Sequence, residues 1–160
     1  MRNYSVRIAE REDLPDILAI TKRYVFNPSN GTSRGTLLPV QKKSVGYLID
    51  QGRFFVSALD NDYIVGCASV IQRNSTAELR SLAVDERYQG MGIASRLINA
   101  CEDLAAVDND KLYALRQKPG IFERNGYQVT EIWPEKLEED CIECPIKPVC
   151  PETPVVKILR

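Results

Sequence analysis

Gly90 and Gly92 stand one residue apart in Arg87-Tyr88-Gln89-Gly90-Met91-Gly92-Ile93-Ala94, where a strand-like run gives way to helical periodicity. Unpaired N–H groups and a partial positive charge gather at a helix N-terminus, so such a junction attracts phosphate. Glycines there let the backbone approach an anion closely and adopt φ > 0. No lysine follows the second glycine, which argues against a nucleoside-triphosphate loop. A dinucleotide fingerprint would need a third Gly or Ala where Ser95 stands, and the strands ahead read as antiparallel. Taken alone, the pair also fits a plain strand-to-helix turn. A second group is Cys141, Cys144 and Cys150, which offers three thiolates to zinc or iron. Structural zinc wants four ligands, so Asp140, Glu143, Glu152, Cys101 or Cys67 would have to complete the set. A Cys141–Cys144 redox pair and three reduced thiols are the other readings.

The elements that would position these groups follow from periodicity. Ser5–Ile8 reads as a strand, and a helix starts at Asp13, with Leu14, Ile17, Leu18, Thr21 and Val25 at helical spacing. Asn27 to Pro39 is a long loop rich in Pro, Gly, Ser and Asn. Gln41–Gln51 is helical and closed by Gly52. Phe54–Leu59 and Tyr63–Gln72 form a hairpin across Asp60-Asn61-Asp62, and Ala77–Val84 is a third antiparallel strand. After Gly92, Ile93, Leu97, Ile98, Cys101, Leu104 and Ala105 line one helical stripe. Lys111–Leu115 is a strand, Pro119 opens a short helix ending near Gly126, and Tyr127–Ile132 and Val155–Leu159 are further strands. This order gives an α+β class, not the strict alternation of a doubly wound sheet.

The chain of 160 residues is 44% hydrophobic and 27% charged, enough for one domain with a real core. A net charge of −1 gives no footprint for nucleic acid or an anionic membrane. No apolar run approaches the roughly 20 residues of a membrane helix, and the start lacks a signal-peptide core. Five cysteines, an odd number, suit a reducing compartment, so a soluble cytoplasmic protein is expected. The absence of histidine removes His-based general bases, Ser-His-Asp and Cys-His systems, and His-ligated zinc.

The run Arg87 to Gly92 matches Arg/Gln-x-x-Gly-x-Gly/Ala, with Leu82-Ala83-Val84 just ahead of it. Downstream, Ile121-Phe122-Glu123-Arg124-Asn125-Gly126-Tyr127 is similar to the segment FYEKLGF. Together these resemble the GNAT family of acetyl-CoA-dependent N-acetyltransferases over roughly Val6 to Ile132. The resemblance implies a mixed, mostly antiparallel central sheet flanked by helices in a domain spanning residues 1–132. Residues 133–160 then form a Cys/Pro-rich segment whose final strand packs on the same domain. It also implies that the backbone around Gln89, Gly90, Met91, Gly92, Ile93 and Ala94 holds the pyrophosphate of coenzyme A, with Arg87 shaping the loop or adding charge. Leu82, Ala83 and Val84 would bind the pantetheine arm, between Ala77–Val84 and Lys111–Leu115 splayed apart. A backbone N–H there would stabilise the developing oxyanion. Glu78 takes the place of a general base that relatives carry early in this strand. Its rival reading is a strand residue ion-paired to Arg80, on the same strand face. Phe122 stands where many relatives carry a tyrosine acid.

The stretches GTLLPVQKKSVGYLIDQGRFFV, ELRSLAVDERYQGMG and ALRQKPGIFERNGY, with the Cys-rich tail, resemble small stand-alone N-acetylglutamate synthase-like proteins. Those also carry Phe at the site of Phe122. After Leu-Leu-Pro they carry an Arg that binds the amino-acid carboxylate, whereas position 40 here is Val, which cannot replace a guanidinium. Either another cation substitutes, with Arg80, Arg116 and Lys118 the candidates on the acceptor side and Arg34 and Lys42 behind them, or the substrate is not glutamate. The resulting expectation is acetyl transfer to a small-molecule amine, with a homodimer left open. A protein or peptide acetyltransferase and a non-catalytic acetyl-CoA sensor are the alternatives.

Overall fold

Seven strands make a single sheet in the computed structural model, which describes residues 3–24, 41–73, 76–116, 119–131 and 152–160. They are β1 (Tyr4–Ile8), β2 (Phe54–Leu59), β3 (Ile64–Arg73), β4 (Thr76–Val84), β5 (Lys111–Arg116), β6 (Gln128–Val129) and β7 (Thr153–Ile158), in the order β1-β2-β3-β4-β5-β7-β6. The helices are α1 (Leu14–Arg23), α2 (Lys42–Asp50), α3 (Ile93–Ala105) and α4 (Ile121–Arg124). The sheet is mixed and mostly antiparallel, as the sequence implied. Among the described strands only β4 and β5 pair in parallel. The strand expected over Tyr127–Ile132 is two residues long, and β7 lies between β5 and β6, pairing with β5 from Lys111 to Arg116.

Side-chain alternation sends neighbouring residues to opposite faces. Phe55, Val65, Ala68 and Val70 pack with Ile93, Leu97, Ile98 and Cys101 of α3. Phe54, Val56, Ile64 and Cys67 pack with Leu14, Ile17 and Ile20 of α1 and Val45 and Ile49 of α2. Each buried aliphatic or aromatic side chain contributes about 1.5–3 kcal/mol, so the two layers anchor helices to both faces. Gly66 lets α3 lie close: a Cβ there would meet Leu97 Cδ1 at 3.1 Å and Ile93 Cγ2 at 3.2 Å.

The period of two breaks in β4. Ala77, Leu79, Leu82 and Val84 all belong to the α3 layer, although Leu79 and Leu82 are three apart. The register explains it: Cys67 faces Ala83 and Ser69 faces Arg80, leaving Ser81 and Leu82 together opposite Ala68. This is a β-bulge, with Ser81 at φ 57. Pairing of β4 with β5 covers only Ala77↔Leu112, Glu78↔Tyr113 and Leu79↔Ala114. Beyond Leu79 the two strands part, while β5 goes on pairing with β7.

Candidate active site

The peptide groups after the bulge have fixed directions. Asp85 N–H donates to Val65 O at 2.8 Å, toward β3. The two polar groups of one peptide unit point opposite ways, so Val84 C=O points away from β3, to the side where β5 has departed. The ladder pairs Ala83 with Cys67, which likewise turns Val84 N–H and Leu82 C=O to that side. Of the three residues expected to line the arm, Leu82 and Val84 therefore present backbone groups to the gap. Ala83 differs, since its backbone is directed at β3 and its side chain is buried in the α1/α2 layer.

The loop leaving β4 is held by Asp85, which is 1% exposed. Its Oδ1 accepts from Arg87 N–H at 3.0 Å, capping a single 3₁₀ turn, Glu86–Tyr88. Arg87 Nη2 binds Asp85 Oδ2 at 2.8 Å and Tyr63 Oη at 2.8 Å, and Arg23 Nη1 reaches the same Asp85 oxygen at 3.2 Å. The hydrogen bond from Arg87 holds the Asp85 carboxyl at about 2. Arg87 thus shapes the loop. Gly90 and Gly92 sit at φ 79 and 82, and Gly92 is the N-cap of α3. Met91 O accepts from Tyr4 Oη at 3.1 Å, fixing the loop to β1. Ile93 is buried, so only its N–H is at the helix mouth, while Ala94 is half-buried. Gln89 Nε2 donates to Val84 O at 3.0 Å.

This mouth fits a phosphate-bearing ligand. The first N–H groups of α3 have no intrahelical acceptor, and no acidic residue occupies the first turn. A Cβ at Gly90 would meet nothing within 4 Å, and one at Gly92 only Tyr4 Oη at 3.7 Å. The protein itself does not fill that volume.

Glu78 is 4% exposed and lies on the α1/α2 face, level with Tyr113. Arg80 Nε and Nη2 both reach its Oε2 at 2.8 Å. Glu152, just ahead of β7, feels the same guanidinium, yet burial pushes its carboxyl up to about 7. Arg116 is elsewhere. Its Nε donates to Glu123 Oε1 at 2.5 Å, on the α4 side, and Glu123 Oε2 caps Gly120 N–H at 2.9 Å. Arg80 and Arg116 therefore project from opposite faces of the sheet and do not converge on one acceptor. Lys118, Arg34, Val40 and the candidate metal ligands Cys141, Cys144 and Cys150 lie outside the described residues. Among the described residues no His/Cys/Asp/Glu cluster could hold a metal. Cys67 and Cys101 are buried free thiols, and burial raises Cys67 to about 12. Phe122 packs edge-on against Tyr127, centroids 5.3 Å apart, and Tyr88 is also core. Among the described residues no helix is long and apolar enough to cross a membrane.

Sequence reasoning missed Asp85, whose only signal was an Asp directly after the strand, a capping residue type. It also missed Tyr24, whose hydroxyl reaches Val84 O at 2.7 Å across 60 residues with no local signal.

Comparison with known proteins agrees with this geometry. An uncharacterised N-acetyltransferase of Chlorobaculum tepidum is 32% identical over 158 residues, 96% of each chain. N-acetylglutamate synthase from Neisseria gonorrhoeae, complexed with coenzyme A and N-acetyl-glutamate, superposes with a TM-score of 0.79 at 24% identity. That match covers 99% of this chain and 35% of the synthase. The Mycobacterium tuberculosis protein Rv2747, in complex with CoA, gives 0.78 at 20% identity, over 98% of this chain and 99% of its own. The model of the acetyltransferase (GNAT) family matches residues 17–121. With two left-handed glycines at the mouth of α3, a strand edge left open beside them and relatives of this kind, the chain belongs to the GNAT family, as an acetyl-CoA-dependent N-acetyltransferase.

Proposed function

We propose that this enzyme acetylates the amine of a small carboxylate-bearing molecule, with an α-amino acid such as glutamate the leading acceptor. Acetyl-CoA supplies the acetyl group already activated as a thioester. The N–H groups from Gln89 to Ala94 hold its pyrophosphate, and the edge formed by Leu82 and Val84 aligns its arm. An amine attacks only when neutral, so a carboxylate must take its proton, directly or through water. Glu78 is the candidate, since β4 carries it to the level at which pairing with β5 ends.

The observation that carries this reading is the ion pair of the buried Glu78 with the partly exposed Arg80 on the α1/α2 face, at the start of the gap. It sets a proton acceptor and a guanidinium side by side. A guanidinium is the group that pairs with a carboxylate in two-pronged fashion, and holding the acceptor's carboxylate fixes its α-amine, where much of the rate originates. The likeness to a synthase structure holding N-acetyl-glutamate points the same way. The test is coenzyme A release from acetyl-CoA with amino acids, polyamines, aminoglycosides and peptides, products identified by mass. Glutamate or another amino acid is expected to be acetylated, and Arg80→Ala to raise its KM steeply. Inert amino acids beside an acetylated polyamine or peptide would overturn the reading.

A further inference from the structure

Val84 C=O has two lone pairs, and two donors already use them: Tyr24 Oη at 2.7 Å and Gln89 Nε2 at 3.0 Å. The other groups turned to the same side, Leu82 C=O and Val84 N–H, have no hydrogen-bond partner among the described residues. An extended amide chain laid against this edge would need all three, since strand addition works by matching donors and acceptors in turn. The pantetheine arm of coenzyme A, with its two amides, is such a chain. One of its three contacts is thus taken by the protein's own side chains.

We propose that Tyr24 is a positioning residue of the coenzyme site, whose hydroxyl holds the Val84 carbonyl in place of the arm's amide and yields it when acetyl-CoA binds. The inference rests on the coenzyme reading above. Tyr24 yields rather than Gln89 because of where each is attached. The Gln89 bond closes a turn only five residues long, in a loop fixed by Asp85, and so moves with Val84. Tyr24 is the C-cap of α1, reaching over from another element, and burial followed by the charge of Asp85 keeps its phenol protonated and donating. The Glu86 backbone also hydrogen-bonds the Tyr24 hydroxyl, and the neighbouring Arg23 reaches Asp85 at 3.2 Å with its side chain half exposed. Coenzyme binding therefore loosens the end of α1, on the face that carries Glu78 and Arg80.

Titration calorimetry of coenzyme A and acetyl-CoA on the wild type, Tyr24→Phe and Gln89→Ala tests this. Removing a competing donor should tighten binding, so Tyr24→Phe is expected to lower Kd about threefold or more, and Gln89→Ala is not. A merely structural tyrosine would leave Kd unchanged or raise it, and either result overturns the proposal, as does tightening in Gln89→Ala alone. A second measurement needs no variant. On saturating the wild type with coenzyme A, amide hydrogen exchange at Lys22–Tyr24 should speed up, whereas slower or unchanged exchange contradicts the proposal. A wild type that binds neither probe would overturn the coenzyme reading as well. Binding without these effects removes the role of Tyr24 alone.

Discussion

Glu78 and Arg80 show what single residues can and cannot reveal. Two positions apart on a strand, they had to share a face, and the structure pairs them at 2.8 Å. Pairing does not remove the carboxylate from the chemistry, and it keeps its oxygens oriented. Glu78→Gln should lower turnover about 10²-fold or more while leaving coenzyme affinity near the wild-type value, because the amide cannot accept the proton. Residual activity should rise with pH as more amine deprotonates unaided. Steady-state kinetics across pH, with calorimetry alongside, measures both. Wild-type turnover with an unchanged profile would clear Glu78. The glycines were legible because φ > 0 at a helix mouth selects them. The partner of Arg116 was not, since an ion pair between β5 and α4 depends on tertiary placement that no local spacing encodes.

At the scale of elements, β4 is decisive. Its bulge reverses the side-chain alternation, so Glu78 and Arg80 face α1 and α2 while Leu82 and Val84 pack toward α3. The three-residue step from Leu79 to Leu82 carried that signal in the sequence, but Leu82, Ala83 and Val84 are all apolar, so the pattern alone does not say which of them face α3. Ser81 sits in the left-handed region, which β-branched residues adopt only under strain. Ser81→Ile should therefore cost roughly 1–3 kcal/mol of stability and reduce activity further by misdirecting the Leu82 and Val84 peptides. Ser81→Gly should fold at least as well as the wild type. Denaturant melts and turnover of both variants decide this, and equal stability of Ile and Gly would show that the bulge is not strained. The α-helices and the β2–β3–β4 meander were readable from periodicity, whereas the parting of β4 and β5 is a property of the pair.

Across the whole molecule, the sheet gathers charges whose folded titration differs from that of the open chain. Asp85 is depressed from 3.8 to about 2, so the unfolded state binds more protons in that interval and stability falls as pH drops through it. Glu152 is opposite. Raised from 4.5 to about 7, it binds a proton in the fold that the open chain has lost, so stability declines as pH rises from about 4.5 to 7. Glu152→Gln should flatten that decline, seen as a smaller difference between melts at pH 5 and pH 8; an unchanged difference would contradict it. The position of β7 between β5 and β6, which brings Glu152 to Arg80, was not legible, because strand order beyond neighbouring hairpins is set by long-range pairing.

The central claim is that the loop from Gln89 to Ala94 holds the coenzyme's pyrophosphate, and calorimetric titration of acetyl-CoA into the wild type and Gly92→Val tests it most directly. A branched side chain at Gly92 intrudes where the anion must approach, so the folded variant should bind at least tenfold more weakly, about 1.4 kcal/mol. Unchanged affinity in a variant that melts as a folded protein would contradict the account.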